Sequence, residues 1–260
     1  DSVGNDALEV IRTVVVGDTG RPLITLKGKA REVIEAGSSY TDAGASAEDV
    51  GDGDLSGLIK VVGGVDTGKV GVYELFYSVK DTQGNAATQV TRTVEVVDTT
   101  GPVITLKGEV VVTHEAGSSY TDAGASAEDV VDGDLSGEVG VVSTVNVSRP
   151  GSYTMSYGVS DGAGNNAKVV VRKVEVVDTT GPVITLKGEA VVTHEAGSSY
   201  TDAGASAEDV VDGDLSGSVK LTGEVDGLKV GEYRLRYNVS DGAGNDALEA
   251  VRTVVVGDTG

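Results

Sequence analysis

Several residue types that stabilise or functionalise small domains are rare in this chain. Its 260 residues include no cysteine, no tryptophan, one phenylalanine, one methionine and two histidines. The lack of cysteine excludes disulfide bonds, so small modules would need a metal ion or a packed neighbour for support. No apolar run approaches the roughly 20 residues of a membrane-spanning helix. There is also no signal peptide, and the chain begins inside a repeat, so we expect it to be part of a longer protein.

Basic residues are also scarce. Lys and Arg total 20 against 41 Asp and Glu, which gives a formal net charge of −21. Nucleic acid is excluded as a natural partner, because phosphate contacts need clustered basic side chains. Direct insertion into a membrane, or binding to an anionic membrane surface, is equally disfavoured. An acidic surplus of this size suits cations and keeps a repetitive chain extended through self-repulsion.

Glycine is abundant, with 38 residues, and one linker sequence recurs every 80 residues. This linker opens at Asp18, Asp98, Asp178 and Asp258. The spacing predicts three full modules (18–97, 98–177 and 178–257), with residues 1–17 as the C-terminal hairpin and strand of a preceding copy and 258–260 as the start of another linker. Segments 98–137 and 178–217 differ only at Val110 and Ala190. Near-identical copies favour a segment that serves to extend the protein, and they are not expected of a set of distinct catalytic sites.

Within each module, short segments of period 2 alternate with turn signals. Tyr153, Met155, Tyr157 and Val159 alternate with small polar residues and predict a half-buried strand. In the same module we predict a first strand broken into two pieces, 103–107 and 110–114, and further strands at 120–127, 138–143 and 168–177. About seven short strands and no amphipathic helix predict an all-β, Ig-like antiparallel β-sandwich for each module. Tyr153 occupies the position of the tyrosine corner found in such sandwiches.

The longer motifs identify a family resemblance. Residues 115–137 (EAGSSYTDAGASAEDVVDGDLSG), 151–165 (GSYTMSYGVSDGAGN) and 171–188 (VRKVEVVDTTGPVITLKG) resemble the bacterial surface Ig-like repeat, once known only as a domain of unknown function. The layout is similar to HYR-type repeats, and the resemblance covers the whole chain. It implies Ig-like sandwiches used as spacers or adhesion modules in cell-surface proteins, as well as in one pesticidal crystal toxin. It implies no particular ligand.

Each module also has an acidic loop, in which three carboxylates lie at i, i+3 and i+5 around a glycine. Crowded hard oxygen ligands are what Ca²⁺ requires, although the spacing is not that of an EF-hand. In an Ig sandwich this loop, the D-x-x-G-N turn and the N-terminal linker lie at one end, which predicts five carboxylates per site. The predicted metal ligands are Asp18, Asp49, Asp52, Asp54 and Asp81 in the first module, Asp98, Asp129, Asp132, Asp134 and Asp161 in the second, and Asp178, Asp209, Asp212, Asp214 and Asp241 in the third.

Calcium at these sites would remove repulsion between like charges and stiffen the joint with the preceding module. The alternative is that the acidic loops are solvated turns, with Asp161 and Asn165 serving only turn geometry. Glu115 and Asp122 are weaker candidate ligands, because strand direction places them toward the other end. His114 and His194 correspond to Ile34 in the first module, which favours a half-buried strand position over a catalytic or metal-binding role.

These features predict a non-enzymatic, extracellular protein of the bacterial surface. We expect an extender region of an adhesin or fibrous surface protein, arranged as an elongated rod with calcium-stiffened junctions. The neighbouring repeats of the same chain are its expected partners. One alternative is a filament subunit that self-associates by strand exchange, because residues 3–16 form an unpaired predicted strand. The other is a module that itself binds glycan or protein, for which exposed aromatic side chains would be the signal.

Overall fold

The computed structural model describes residues 2–4 and 6–258. Three modules follow one another in sequence, and each contains seven β-strands and one short 3₁₀ turn. We refer to residues 18–97, 98–177 and 178–257 as modules 1, 2 and 3. Module 1 consists of β1 (Leu23–Leu26), β2 (Arg31–Glu35), β3 (Ala45–Asp49), β4 (Gly53–Asp54), a 3₁₀ turn (Ser56–Leu58), β5 (Lys60–Val62), β6 (Gly71–Ser78) and β7 (Val90–Val97).

Modules 2 and 3 repeat this order of elements. Module 2 consists of β8 (Val103–Leu106), β9 (Val111–Glu115), β10 (Ala125–Asp129), β11 (Gly133–Asp134), a 3₁₀ turn (Ser136–Glu138), β12 (Gly140–Ser143), β13 (Gly151–Gly158) and β14 (Val170–Val177). Module 3 consists of β15 (Val183–Leu186), β16 (Val191–Glu195), β17 (Ala205–Asp209), β18 (Gly213–Asp214), a 3₁₀ turn (Ser216–Ser218), β19 (Lys220–Thr222), β20 (Gly231–Asn238) and β21 (Ala250–Gly257). Among the described residues, no helix is long and apolar enough to cross a membrane.

Each module contains two sheets, which confirms the predicted all-β, Ig-like fold. In module 1 the orders are β1-β3-β4 and β2-β7-β6-β5, and the other modules repeat them. The pairing is antiparallel except between β2 and β7, which run parallel with Glu35 opposite Val97. The chain changes sheets between β1 and β2 near Gly28, whose φ of 77° favours glycine. The predicted first strand is therefore two strands, one in each sheet.

One predicted strand is shorter than expected. We predicted strand structure for 120–127, but β10 begins only at Ala125. Just before it, the backbone N–H of Gly124 donates to Asp122 Oδ2 at 2.8 Å, and Gly124 has a φ of 78°. A local turn of this kind occupies backbone groups that would otherwise pair in the sheet, so the strand begins later in the chain.

The core of each module is thin and made of small side chains. Ala47, Tyr77 and Val94 are completely buried in module 1, and their counterparts in modules 2 and 3 are buried as well. The alternation predicted for 153–159 is observed, since Met155 and Tyr157 are buried. Tyr153 Oη donates to the carbonyl oxygen of Arg149 at 2.8 Å, which is the hydrogen bond expected of a tyrosine corner.

Residues 6–22 have no regular secondary structure and are almost entirely exposed. We predicted a strand at 3–16, and the described part of that segment does not form one. Leu8, Val10 and Val16 are each more than 90% exposed, because no strand of this chain pairs with them. The assignment of 1–17 to a preceding repeat stays a prediction. Residues 1, 5, 259 and 260 lie outside the described residues, including most of the predicted linker 258–260.

The chain divides into two compact units that do not coincide with the modules. The first unit contains residues 1–102 together with 128–135 and 160–166. The second contains 103–127, 136–159 and 167–260. Two loops of module 2 therefore belong to the same unit as module 1. These are the loops that carry its acidic residues.

Candidate metal centres

The structure gathers aspartates into a cluster in each module, from three segments in modules 1 and 3 and from two in module 2. In module 1 the contributing segments are the linker before β1, the loop between β3 and β4, and the turn between β6 and β7. Each side chain of a cluster offers an oxygen within 4.8 Å of the others: Asp18, Asp49, Asp52 and Asp81 in module 1, Asp98, Asp129 and Asp132 in module 2, and Asp178, Asp212 and Asp241 in module 3. Carboxylates this close repel by about 1 kcal/mol or more per pair unless a proton or cation intervenes.

The β3–β4 loop holds its aspartates through hydrogen bonds to its own backbone. Asp49 Oδ1 accepts from the backbone N–H of Gly51 at 2.7 Å and of Asp52 at 3.1 Å. Asp129 and Asp209 make the same two bonds in their modules. Asp49 is only 8% exposed. This Asx-type turn fixes one carboxylate oxygen and leaves the other available to the cluster.

The turn between β6 and β7 is tied to the linker by an asparagine. Asn85 donates its backbone N–H to Asp81 Oδ1 at 2.7 Å and its side-chain amide to Asp81 Oδ2 at 2.6 Å. The same amide donates to the carbonyl oxygen of Asp18 at 3.2 Å. Asn165 and Asn245 repeat these contacts with Asp161 and Asp241 and with the linkers at Asp98 and Asp178. The D-x-x-G-N motif therefore positions the linker against the acidic loops.

A contact between the two loops completes the arrangement. Asp52 accepts from the backbone N–H of Thr82 at 2.8 Å and from its hydroxyl at 2.8 Å. In modules 2 and 3 a glycine replaces Thr82, and its backbone N–H alone donates to Asp132 or Asp212. These bonds join the two acidic loops in every module.

Module 1 holds one more carboxylate in its cluster than modules 2 and 3, and its acidic loop also differs from theirs at position 51. A side chain at Gly51 would overlap the carboxylate of Asp18, which occupies that space. Modules 2 and 3 have Val131 and Val211 at the same position. Gly20 donates its N–H to Asp18 Oδ1 at 2.8 Å, and Asp98 and Asp178 accept the equivalent backbone bonds from Thr100 and Thr180. Glycine at position 51 therefore affects where the linker carboxylate lies in module 1, whereas a linker carboxylate belongs to the cluster of every module.

The linker aspartates Asp98 and Asp178 are harder to ionise than an ordinary aspartate. Burial, followed by the neighbouring Asp161 and Asp129, raises the pKa of Asp98. Burial and Asp209 likewise raise the pKa of Asp178. Among the described residues, the buried Oδ2 atoms of Asp18 and Asp98 have no hydrogen-bond partner. An anionic oxygen buried without a donor is stabilised by a cation or by a proton.

The turn aspartates behave in the opposite way. Burial opposes the ionisation of Asp161, but hydrogen bonds from Asn165 and from backbone N–H groups outweigh it and lower its pKa. The same balance lowers the pKa of Asp81 and Asp241. These carboxylates are therefore ionised at neutral pH, as metal ligands must be.

The structure separates one predicted group of ligands from the clusters. Asp54, Asp134 and Asp214 lie on β4, β11 and β18, outside every cluster found among the described residues. Asp54 Oδ1 accepts from the backbone N–H of Ser56 at 2.8 Å, and Asp214 makes the equivalent bond at 2.9 Å. Asp54 and Asp214 therefore bond to the first residue of the 3₁₀ turn that follows them. Asp161 and Asp209 lie beside their clusters, but neither places an oxygen within 4.8 Å of all the other cluster oxygens.

The family of the chain follows from these modules. Residues 24–96, 104–176 and 184–256 each match the family described as bacterial surface protein, Ig-like domain. The chain belongs to this family. Each match runs from β1, β8 or β15 to the last strand of the same module, so the linkers lie between the matched Ig-like domains.

Two curated relatives and one solved structure are similar to this chain. The chain is 28% identical over 227 residues to the pesticidal crystal protein Cry22Aa of Bacillus thuringiensis, covering 85% of this chain and 31% of the toxin. It is 28% identical over 279 residues to hyalin of Strongylocentrotus purpuratus, covering 99% of this chain and 22% of hyalin. The chain thus spans a third or less of these relatives. A fragment of Drosophila N-cadherin is 11% identical, with 94% and 76% of the two chains covered and a TM-score of 0.33.

Sequence reasoning missed a buried polar group in every Ig-like module. Arg172 is 1% exposed and forms an ion pair with Asp122 beneath Tyr157. Tyr157 Oη donates to Asp122 Oδ2 at 2.7 Å, and its pKa is raised to about 12 by burial and by this bond. Module 1 builds the same group from Arg92, Asp42 and Tyr77, and module 3 from Arg252, Asp202 and Tyr237. Asp122, a weaker candidate metal ligand, therefore belongs to this buried polar group.

The other weak candidates also lie away from the clusters. Glu115 ends β9 and bonds to the linker that follows module 2. His114 and His194 are half-buried at strand positions, and each imidazole Nε2 lies within hydrogen-bonding distance of a serine four residues later, Ser118 or Ser198.

Proposed function

We propose that this chain is a spacer region of a bacterial cell-surface protein, in which Ig-like modules hold another part of the protein away from the cell. The observation that carries the proposal is the repetition of nearly identical modules from a surface-protein family. The proposed role is mechanical and extracellular rather than enzymatic. The adjacent repeats of the same chain are its proposed partners.

The acidic clusters are proposed to bind calcium. Each cluster presents hard oxygen ligands from a linker and from one or two loops, the donor set that Ca²⁺ prefers. The unpartnered buried oxygens of Asp18 and Asp98 support this assignment, because an ion would supply the missing positive charge. The competing interpretation is that the loops are solvated turns that bind no ion.

Calcium would stiffen the chain by joining a linker to the module that follows it. Asp98 belongs to the linker, whereas Asp129 and Asp132 belong to the β10–β11 loop of module 2. An ion shared by these carboxylates would replace their repulsion by attraction and restrict the linker torsions. Pro22, Pro102 and Pro182 restrict the same linkers, since proline fixes its own φ and extends the preceding residue.

Thermal unfolding tests the calcium proposal. The chain is heated in EDTA, and then with millimolar Ca²⁺ or Mg²⁺. Extracellular calcium sites bind at about 10⁻⁴–10⁻³ M, so a tenfold excess adds roughly 1.4 kcal/mol per site. For a module of this size the gain raises Tm by about 4–8 °C per kcal/mol. A Tm that responds equally to both ions, or to neither, would contradict a calcium site.

A second candidate function is self-association by strand exchange. Residues 6–17 are exposed and unpaired, and residues 1–20 match 241–260, which contain β21, at 16 of 20 positions. A strand with this sequence can replace β21 in another copy. Sedimentation at increasing protein concentration tests the idea: concentration-dependent oligomers lost on deletion of 1–17 support it, and a monomer at every concentration argues against it.

Glycan or protein binding by the modules themselves has less support. All nine tyrosines and Phe76 are buried or half-buried, so the exposed aromatic platform expected of a glycan-binding surface is missing from the described residues.

A further inference from the structure

In modules 1 and 2, the end opposite the acidic cluster makes a specific set of contacts with the following linker. Glu35 is the last residue of β2, and the parallel register places it opposite Val97, the last residue of β7. The linker begins at the next residue, Asp98. The backbone N–H of Ala36 donates to the carbonyl oxygen of Val97 at 2.8 Å and so fixes this register at the point where the strand ends.

From this position the carboxylate of Glu35 binds the linker with both oxygens. Oε1 accepts from the backbone N–H of Thr99 at 2.8 Å and from the hydroxyl of Thr100 at 2.8 Å, and Oε2 accepts from the hydroxyl of Thr99 at 2.7 Å. These bonds lower the pKa of Glu35, the Thr99 hydroxyl contributing most. We call this arrangement the glutamate clasp.

The second linker repeats the clasp with the same geometry. Glu115 accepts from the backbone N–H of Thr179 at 2.9 Å and from its hydroxyl at 2.7 Å, and from the hydroxyl of Thr180 at 2.8 Å. The register is also the same, since Glu115 lies opposite Val177. Two independent copies show that the contact is built into the repeat.

A hydrophobic contact lies beside each clasp. Val130, in the loop after β10, lies over Gly37, where an added Cβ would be 2.5 Å from Val130 Cγ1. Val210 occupies the same place over Gly117. The acidic loops of modules 2 and 3 therefore contact the preceding module directly through Val130 and Val210, while the linker beside each loop is held by the glutamate.

We propose that Glu35 and Glu115 are positioning residues, which bind the linker of the next module and thereby hold Asp98 and Asp178 at their clusters. Asp98 and the clasped Thr99 are adjacent residues, so fixing one restricts the other. Two consequences follow. The junction is ordered even without an ion, and the affinity of each cluster depends on a glutamate from the preceding module. The second consequence rests on the proposed calcium site, whereas the first does not.

Spin-label distances in EDTA test the ion-independent part. The chain has no cysteine, so labelled cysteines can be placed at exposed strand positions, as the pairs Val62/Val142 and Val142/Thr222. We expect narrow distance distributions in the unaltered background. Glu35→Ala should broaden only the first pair and Glu115→Ala only the second, so each variant is the control for the other. The isosteric Glu35→Gln and Glu115→Gln should broaden them less. Unchanged widths in the alanine variants would overturn the proposal.

Calcium titration followed by amide NMR tests the coupled part. The amides of Gly51, Gly162 and Gly242 report the three clusters separately, because each donates to an acidic side chain or stands beside one. We expect Glu35→Ala to weaken binding about tenfold at Gly162, and Glu115→Ala at Gly242, with Gly51 unaffected. Equal affinities in all variants would refute the coupling. If the unaltered chain binds no calcium, the proposed function fails and the spin-label distances alone decide the clasp.

Discussion

The contact between Val130 and Gly37 allows a controlled test of the junction. Gly37 has a φ of 74°, and Gly197, its counterpart in module 3, has a φ of 105°. Alanine at either position pays a backbone cost of about 1–2 kcal/mol, since both lie in the left-handed region. They differ in their surroundings. A Cβ at Gly37 meets Val130 Cγ1, whereas a Cβ at Gly197 meets nothing within 4 Å.

The difference between the two alanine variants therefore isolates the contact. Valine is stiff at χ1 and cannot easily rotate its methyl away, so overpacking adds about 1–3 kcal/mol to Gly37→Ala. At about 4–8 °C per kcal/mol, this lowers the transition that includes module 1 further than Gly197→Ala lowers that of module 3. Differential scanning calorimetry measures both shifts.

A second substitution identifies the origin of the extra cost. The remaining Val130 atoms near the added Cβ lie at 3.7 Å or more, an ordinary contact distance. Val130→Ala should therefore restore the overpacking part of the loss in the Gly37→Ala background, and leave the backbone part. Equal shifts for Gly37→Ala and Gly197→Ala, or no rescue by Val130→Ala, would refute a close contact at this junction.

Three further results are expected. Arg172→Met leaves Asp122 buried without its partner and should cost about 3–5 kcal/mol in urea unfolding, whereas the exposed Arg234→Met should cost less than about 1 kcal/mol; similar costs would contradict the assignment. Gly51→Val should displace Asp18 and weaken calcium binding in module 1 by about tenfold, measured by titration, and an unchanged affinity would show that Asp18 is not a ligand. The pKa of Asp98 is raised by burial, so its contribution to stability is present below the unfolded pKa and is lost as pH rises through the folded value. Asp98→Asn should therefore raise Tm in EDTA at pH 7 and abolish any calcium response of module 2; a lower Tm would contradict the sign.

Much of the fold could be predicted from the sequence, because its signals are local and repeated. The alternation around Tyr157 fixed the inward face of β13, and the recurring Asp98-type linker fixed the period of 80. The order of strands in an Ig sandwich also predicted that the acidic loop, the D-x-x-G-N turn and the linker meet at one end. That meeting is observed, because the Asn165 side chain joins Asp161 to the linker.

The errors have identifiable physical causes. Spacing alone grouped Asp54 with Asp49 and Asp52, but β4 pairs back onto β3 and directs Asp54 to the start of a 3₁₀ turn. Pairing between strands decides such directions, and it is invisible in a spacing pattern. The buried Arg172 was missed for another reason. Arg172 is separated from Val174 and Val176 by an even number of positions along β14, so its side chain lies on the same inward face. Because arginine is charged, the sequence pattern was not interpreted as a buried position.

The glutamate clasp could not have been predicted from the sequence pattern. Glu35 and Thr99 are 64 residues apart, and only the parallel pairing of β2 with β7 brings them together. We expected an antiparallel sandwich, in which this register does not occur. The parallel pair between the second and last strands of a module is therefore the feature that connects its end to the next linker.

The most direct test of calcium binding compares two triple variants by isothermal titration calorimetry. One replaces the cluster residues with asparagine (Asp52→Asn, Asp132→Asn and Asp212→Asn), and the other replaces the aspartates outside the clusters (Asp54→Asn, Asp134→Asn and Asp214→Asn). Both lose the same charge, so a nonspecific effect of acidity weakens both equally. We predict that calcium binds the unaltered chain and the second variant with the same affinity, and that binding is lost in the first. No binding to the unaltered chain, or an equal loss in both variants, would contradict calcium sites at the acidic clusters.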